Sequence, residues 1–306
     1  MSQFKYQLAK FIDFQDPEAC ARVRKITKSE ITKGANPNLN IKVIEDRKDF
    51  FKAFANDLVD RITQARDESR KFVAIVPLGP VPQYKIAARM INERKISLEH
   101  CHFFNMDEYA DENGNTAPIT WEGSFQKSMF EQFHNQIDVE LRPKAEQLHF
   151  PTTEVIKSYS EIIEQLGGAD VCYGGIGWCG HIAFWESDLG HEFKGDLEAY
   201  KKAGPRTVEL TPMTIMQNAL HSFGGDWSWV PPKANTIGPV NILGARARSF
   251  WLDGDLGGGV SWQRFIARLV THGPISEFVP GTFLQTQPSD IHILGGVAED
   301  VEINMA

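Results

Sequence analysis

The chain has 306 residues, 42% of them apolar and 24% charged, with a formal net charge of −8. That length supports a large buried core. An acidic balance without a run of lysine or arginine argues against nucleic acid or an anionic membrane as partner. No apolar run approaches the roughly 18 residues of a bilayer span. The segment Met1 to Arg22 lacks the apolar centre of a signal peptide. The four cysteines, Cys20, Cys101, Cys172 and Cys179, show no CxxC pair or zinc spacing, so a reduced, cytoplasmic setting is expected.

Residues 1–40 read as an extension packed on the core, and 41–306 as one domain. In the extension, Asp16 caps a helix with Pro17 at its first position, and Gly34 to Asn38 marks a loop. Ile41 to Ile44 is a short strand. Asp46 caps the helix that follows, where Phe50, Phe51, Phe54, Leu58, Val59 and Ile62 recur at helical spacing, a core-packing stripe. Phe72 to Pro77 is an apolar strand, followed by Leu78-Gly79-Pro80-Val81-Pro82-Gln83-Tyr84 and a helix from Tyr84 to Glu93. Main-chain N–H groups at such a junction can seat an anion, although two prolines remove two of the donors.

Cys101 to Met106 is the next strand, ending in Asp107-Glu108. A polar loop over 111–123 leads to helices at Ser124–Phe133 and Glu154–Leu166. The apolar strand Ala169 to Tyr173 then runs into Gly174, Gly175 and Gly177, where missing Cβ atoms allow a sharp turn. The turn delivers Cys179, Gly180, His181 and Glu186. The charged segment from there to Lys202 reads as a mobile loop or lid. Arg206–Leu210 is a strand, and Thr211-Pro212 opens a helix to Leu220. Gly224–Pro232, with Trp227 and Trp229, is a surface loop, and Thr236–Pro239 precedes a turn. Ser249–Asp253 is a strand, Asp255–Gly259 a loop, Ser261–Thr271 a helix, and Ile291–Leu294 closes the sheet. This alternation specifies an α/β fold: an open, mostly parallel, Rossmann-like sheet with helices on both faces, in a single domain.

Chemistry collects at two strand ends. Asp107 and Glu108 follow one strand, and His181 and Glu186 follow another, where open α/β sheets bind ligands. Singly, an acidic pair after a strand is commonly a solvated end, and a histidine near a glutamate a structural hydrogen bond. Together they supply a carboxylate base and a histidine oriented by a second carboxylate, the equipment for proton transfer on a sugar or carbonyl compound. No serine elbow, Walker loop or metal-ligand cluster competes, and Gly174-Gly175-Ile176-Gly177 lacks dinucleotide-binding spacing.

Phe104-Asn105-Met106-Asp107-Glu108-Tyr109, together with Gly174-Gly175-Ile176-Gly177 through Gly180-His181-Ile182-Ala183-Phe184 and Glu186, resembles the glucosamine-6-phosphate deaminase/isomerase family, related in fold to 6-phosphogluconolactonases. The resemblance spans about residues 41 to 300. Asp-Glu-Tyr and the glutamate after His-Ile-Ala-Phe favour the deaminase branch over the lactonase branch. The resemblance implies aldose–ketose isomerisation with loss of ammonia, with no metal or organic cofactor. It casts His181, assisted by Glu186, in ring opening and Asp107 in moving the C2 proton to C1. Glu108 is expected to position or tune Asp107. Gly79, Glu108, Gly175, Gly180, Arg206 and Arg264 are the expected substrate-binding set.

Two departures stand out. The family usually carries aspartate where this chain has Cys179, placing either a buried inert thiol or a group with its own substrate contact beside the histidine. The family's phosphate loop, Thr/Ser-Gly-x-Thr-Pro, reads Leu78-Gly79-Pro80-Val81-Pro82 here. Its late lysine is missing from the expanded Gly254–Gly259 turn, with Arg264 a loose substitute, while Arg206 matches a family arginine facing the substrate. The partner is therefore expected to be a small sugar or sugar phosphate, the group at C6 and any homo-oligomer staying open. The alternatives are a cofactor-independent isomerase on a different, unphosphorylated sugar, and a non-catalytic sugar-binding or regulatory homologue.

Overall fold

Runs of apolar residues alternate with amphipathic helices along most of the chain, and the computed structural model describes residue 4, residues 6–79 and residues 81–305. Pro80 of the loop after the first long strand, and residues 1–3 and 5 of the extension, lie outside the described residues. The elements begin with α1 (Pro17–Val23), β1 (Leu39–Ile44), α2 (Arg47–Asp67), β2 (Phe72–Val76), α3 (Pro82–Arg94), β3 (Cys101–Asn105) and β4 (Asp107–Ala110). Next come α4 (Phe125–Gln132), β5 (Leu148–His149), α5 (Tyr159–Gln165), β6 (Val171–Gly174), α6 (Leu197–Lys201), β7 (Arg206–Glu209) and α7 (Pro212–Ser222). The last are β8 (Lys233–Thr236), α8 (Pro239–Gly244), β9 (Ala247–Leu252), β10 (Asp255–Gly257), β11 (Val260–Ser261), α9 (Arg264–His272), β12 (Ser289–Leu294) and α10 (Gly295–Ala298).

Seven strands form the main sheet in the order β1-β12-β9-β6-β2-β3-β5, and every ladder in it is parallel. All five residues of β2 and all four of β6 are buried. Since successive side chains point to opposite faces, both faces of the sheet must be covered. The expected α/β architecture is thus present. From β2 the chain steps outward to β3 and β5, then returns to lay β6 on the other side of β2 and continues to β9 and β12. The order reverses between β2 and β6, which opens a crevice at their carboxyl ends.

Helix starts follow the expected chemistry. Asp16 accepts from the Ala19 N–H, Asp46 from those of Lys48 and Asp49, and Thr211 serves as the cap of α7. The extension is bonded into the body. Asp13 accepts from the Ser187 hydroxyl and pairs with His191, and the Arg268 guanidinium donates to the Ile26 carbonyl. β1 starts at Leu39, inside the extension as drawn at residue 40.

The structure corrects several expectations. Asp107–Ala110 is not merely a strand end. It is β4, the first strand of a separate antiparallel sheet β4-β8-β7, and Lys233–Thr236, between the expected surface loop and the turn expected after Thr236–Pro239, is its middle strand. The segment after Glu186 is a packed stretch rather than a free lid: Tyr200 is fully buried, its ring stacked 4.3 Å from that of Phe283. The glycine-rich 255–261 segment is a small hairpin of β10 and β11, its turn supplied by Gly257, Gly258 and Gly259 at positive φ. The helix expected from Glu154 begins with a 3₁₀ turn at Ile156–Ser158 before α5. β12 lies inside the sheet, between β1 and β9, rather than closing it. Trp227 and Trp229 are exposed, as expected of a surface loop. Among the described residues, no helix is long and apolar enough to cross a membrane.

Candidate active site

A cavity of about 280 Å³ opens at the crevice. Pro77, Leu78, Gly79 and Val81 from the loop after β2 form one wall, held by the Tyr84 hydroxyl, which donates to the Pro77 carbonyl. Gly175, Ile176 and Gly177 after β6 form another, and Trp251 near the end of β9 with Asp253 just after it a third. α7 contributes Gln217, Asn218 and His221.

Asp107 enters from the start of β4. Burial first, and the neighbouring Glu108 charge second, raise its carboxyl from 3.8 to about 8. Strand alternation sends Glu108 the other way. Its carboxylate accepts from the main-chain N–H groups of Tyr109, Phe125 and Gln126 and from the Ser124 hydroxyl, at 2.8 to 3.1 Å. It therefore anchors the start of α4 and does not line the cavity, which corrects its expected place among the substrate-binding groups.

His181 faces the cavity from the glycine turn. Gly177 is obligatory here, because an added Cβ would lie 1.9 Å from His181 Nε2. Two residues on, Ala183 is held in the left-handed region at φ 54°, a conformation costly to a residue with a Cβ. Behind the imidazole, Nδ1 lies 3.0 Å from the Thr214 hydroxyl and 3.0 Å from Cys179 Sγ. The Thr214 hydroxyl donates to Glu186 at 2.9 Å, and Thr211 adds a second donor at 3.0 Å. A threonine has one hydroxyl proton. Once given to Glu186, it leaves the oxygen to accept from His181 Nδ1–H, so the lone pair sits on Nε2 toward the cavity.

Glu186 and His181 were expected to act as a pair, but their nearest atoms are 3.8 Å apart. The link runs through Thr214, a residue sequence reasoning missed although Thr211-Pro212 marks the helix start beside it. Burial lowers the His181 pKa against the pull of Glu186, and burial raises Glu186 to about 8. Desolvation likewise pushes up the thiol of the half-buried Cys179. Its Sγ, His181 Nδ1 and Glu186 Oε2 lie within 4.8 Å of one another, a spacing three metal ligands could share. In this arrangement the Thr214 hydroxyl already joins the last two.

The remaining expected residues divide. Gly79 and Gly175 line the cavity. Gly180 is behind it, at φ +86°, where a Cβ would strike Val279 at 2.5 Å. Arg206 is outside, paired with Glu192 at 2.7 Å and lying over the Trp185 ring at 4.8 Å. Arg264 spends its guanidinium on the carbonyls of Gly259 and Gly296. Its neighbours line the site instead. Trp262 and Gln263 both face the cavity, and the Gln263 amide ties Gly254 N–H to the Ile176 carbonyl. Asp253, Trp262 and His221 carried no recognisable motif.

Fold and crevice define an α/β protein whose candidate site lies at a strand-order reversal. Among solved structures, a monomeric glucosamine-6-phosphate deaminase superposes with a TM-score of 0.70 at 22% identity, covering 84% of this chain and 98% of that one. A 6-phosphogluconolactonase from Thermotoga maritima gives 0.58 at 14% identity, covering 84% and 99%. No family model matches the sequence. Glucosamine-6-phosphate deaminase of Caenorhabditis elegans is 33% identical over 210 residues, 67% of this chain and 72% of its own length. That of Alkaliphilus oremlandii is 31% identical over 221 residues, 70% of this chain and 80% of its own. The chain belongs to the glucosamine-6-phosphate deaminase family.

Proposed function

We propose that the chain is a deaminating aldose–ketose isomerase acting on a 2-amino-2-deoxyhexose phosphate, the class named in its relatives, or a close variant of it. The observation that carries this is a carboxyl group, Asp107, and an imidazole, His181, facing one cavity. In this reading His181 takes the O1 proton of the pyranose and delivers one to O5 as the C1–O5 bond breaks. Asp107 removes the C2 proton and returns it at C1, and the electron pair of the nitrogen carries C2 to an iminium. Water adds at C2, ammonia leaves, and a ketose remains. Glu186 acts on His181 through Thr214, holding the imidazole in place. The free state of Cys20, Cys101, Cys172 and Cys179 supports a reducing, cytoplasmic setting.

The test is ammonia release from 2-amino-2-deoxyhexoses and their 6-phosphates, with Asp107→Asn beside the wild type. Equal amounts of ammonia and ketose from the wild type, and none from the variant, are expected. Turnover retained in Asp107→Asn overturns the assigned base. A ligand-induced rise in melting temperature with no ammonia from any sugar supports a binding homologue instead.

A further inference from the structure

Cys179 stands where the family usually carries aspartate, and the exchange changes what the groups behind the histidine can bind. Three ligand atoms converge there. Cys179 Sγ lies 3.0 Å from His181 Nδ1 and 3.6 Å from Glu186 Oε2, and the last two are 3.8 Å apart. Ligands of a tetrahedral zinc ion, each about 2.0–2.3 Å from the metal, sit about 3.3–3.7 Å from one another. A triangle with the observed edges has a point about 2 Å from every corner, within bonding reach of all three atoms. The Thr214 hydroxyl oxygen, 3.0 Å from Nδ1, 2.9 Å from Oε2 and bonded to the thiol as well, caps that triangle and can give a fourth, oxygen ligand.

A thiolate is the soft ligand that an aspartate is not. With an imidazole and a carboxylate it makes a mixed sulfur, nitrogen and oxygen set that suits zinc rather than magnesium or calcium. His181 and Glu186 are buried while Cys179 is half-buried, which leaves the thiol side open to an entering ion. The second oxygen of Glu186 accepts from the Thr211 N–H at 3.4 Å, as an outer partner orients a ligating carboxylate. Binding expels the thiol proton to solvent. It also takes the Nδ1 lone pair, so the neutral ring carries its proton on Nε2, toward the cavity. In that state the ring donates into the cavity and cannot accept the O1 proton of a sugar.

We propose that Cys179, His181 and Glu186 form an inhibitory site for a thiophilic divalent cation such as zinc, bound behind the imidazole. The ion competes with the Thr214 hydroxyl for Nδ1 and switches the base off. The inhibition rests on His181 acting as in the deaminase reading; the metal site does not.

Cobalt titration of the whole chain tests the site without any turnover, with Cys179→Asp and Glu186→Gln beside wild type and melting curves to show that both variants are folded. Among the described residues no other group of three such ligands lies close enough to share an ion, so sulfur-to-cobalt charge-transfer absorption reports Cys179. One equivalent of cobalt should produce that absorption with the visible bands of a tetrahedral ion, and zinc should displace it. Cys179→Asp should lose the absorption, and each variant should bind zinc at least about tenfold more weakly than wild type. In ammonia release from an amino sugar phosphate, zinc should inhibit wild type at concentrations at least about tenfold below those that inhibit Cys179→Asp, each referred to its own metal-free rate. No thiolate–cobalt absorption in wild type, undiminished zinc affinity in Cys179→Asp, or full turnover with the site saturated overturns the proposal. Metal binding as described in a chain that releases no ammonia from any sugar removes the deaminase reading and leaves the metal site standing.

Discussion

Asparagine matches aspartate in size but cannot ionise, so Asp107→Asn isolates what burying that carboxyl does to the fold. In the folded chain the group titrates at about 8, against 3.8 for an ordinary aspartate. At pH 7 the unfolded chain is ionised there and the folded chain is not. The gap of roughly three pH units, at about 1.36 kcal/mol each, amounts to about 4 kcal/mol against folding. Because the folded pKa is raised, the contribution to stability is complete below pH 3.8 and lost as pH climbs toward 8. The variant should therefore be more stable than wild type at pH 7 by up to about 4 kcal/mol, and melt several degrees higher. The two should converge below about pH 4. Calorimetric melting across that range measures the gap, and wild-type kcat/KM should rise as pH passes about 8 and the base form appears. A variant no more stable than wild type at pH 7, or a gap that persists in acid, would refute the account of Asp107 as a buried neutral acid.

Three further outcomes are expected. Thr214→Val removes the hydroxyl joining His181 to Glu186, so kcat should fall about 10–100-fold, with the histidine limb of the pH profile displaced and KM little changed. A loss confined to KM would deny Thr214 its positioning role. Gly177→Ala drives a methyl into the imidazole and should lower kcat at least about 100-fold while the protein still melts cooperatively; near-normal turnover would mean His181 is not held as described. Arg206→Ala should change KM by less than about fivefold, since its partners are Glu192 and Trp185 outside the cavity, and a much larger rise would return it to the substrate.

Asp107, His181, Gly79 and Gly175 were legible because strand-to-loop junctions leave local signals: an apolar run that stops, then glycines or paired acids. The seven parallel strands were nearly all readable for the same reason, being short apolar runs between amphipathic helices, with only the two-residue β5 too brief to register. Of the antiparallel sheet only Arg206–Leu210, which contains β7, was read as a strand; Asp107–Ala110 acquires strand character by pairing with Lys233–Thr236, and no local pattern encodes so distant a partner. Glu108 was expected among the substrate-binding groups because it follows Asp107, yet a strand turns adjacent side chains to opposite sides, and this one meets the Tyr109 N–H and three donors at the start of α4. Arg206 and Arg264 matched or approximated expected positions in order, but their guanidinium groups are committed to Glu192 and to main-chain carbonyls. Thr214 was hidden by its ordinariness, a small polar residue in the first turn of a helix.

The position of β12 has a consequence for how the chain is made. Asn40 in β1 lies beside Asp290 in β12, 250 residues later. At a synthesis rate of about 5–20 residues per second, β1 waits about 12–50 s for its neighbour to be translated. During that interval β1 cannot dock and β9 presents a bare edge, since the strand destined to separate them does not yet exist. The final strand must then insert between the two and satisfy both at once. A nascent chain arrested before Ser289 therefore exposes unpaired backbone on β1 and β9, the kind of surface to which holding chaperones and other nascent strands bind. Completion of the main sheet therefore waits on β12 rather than on β1.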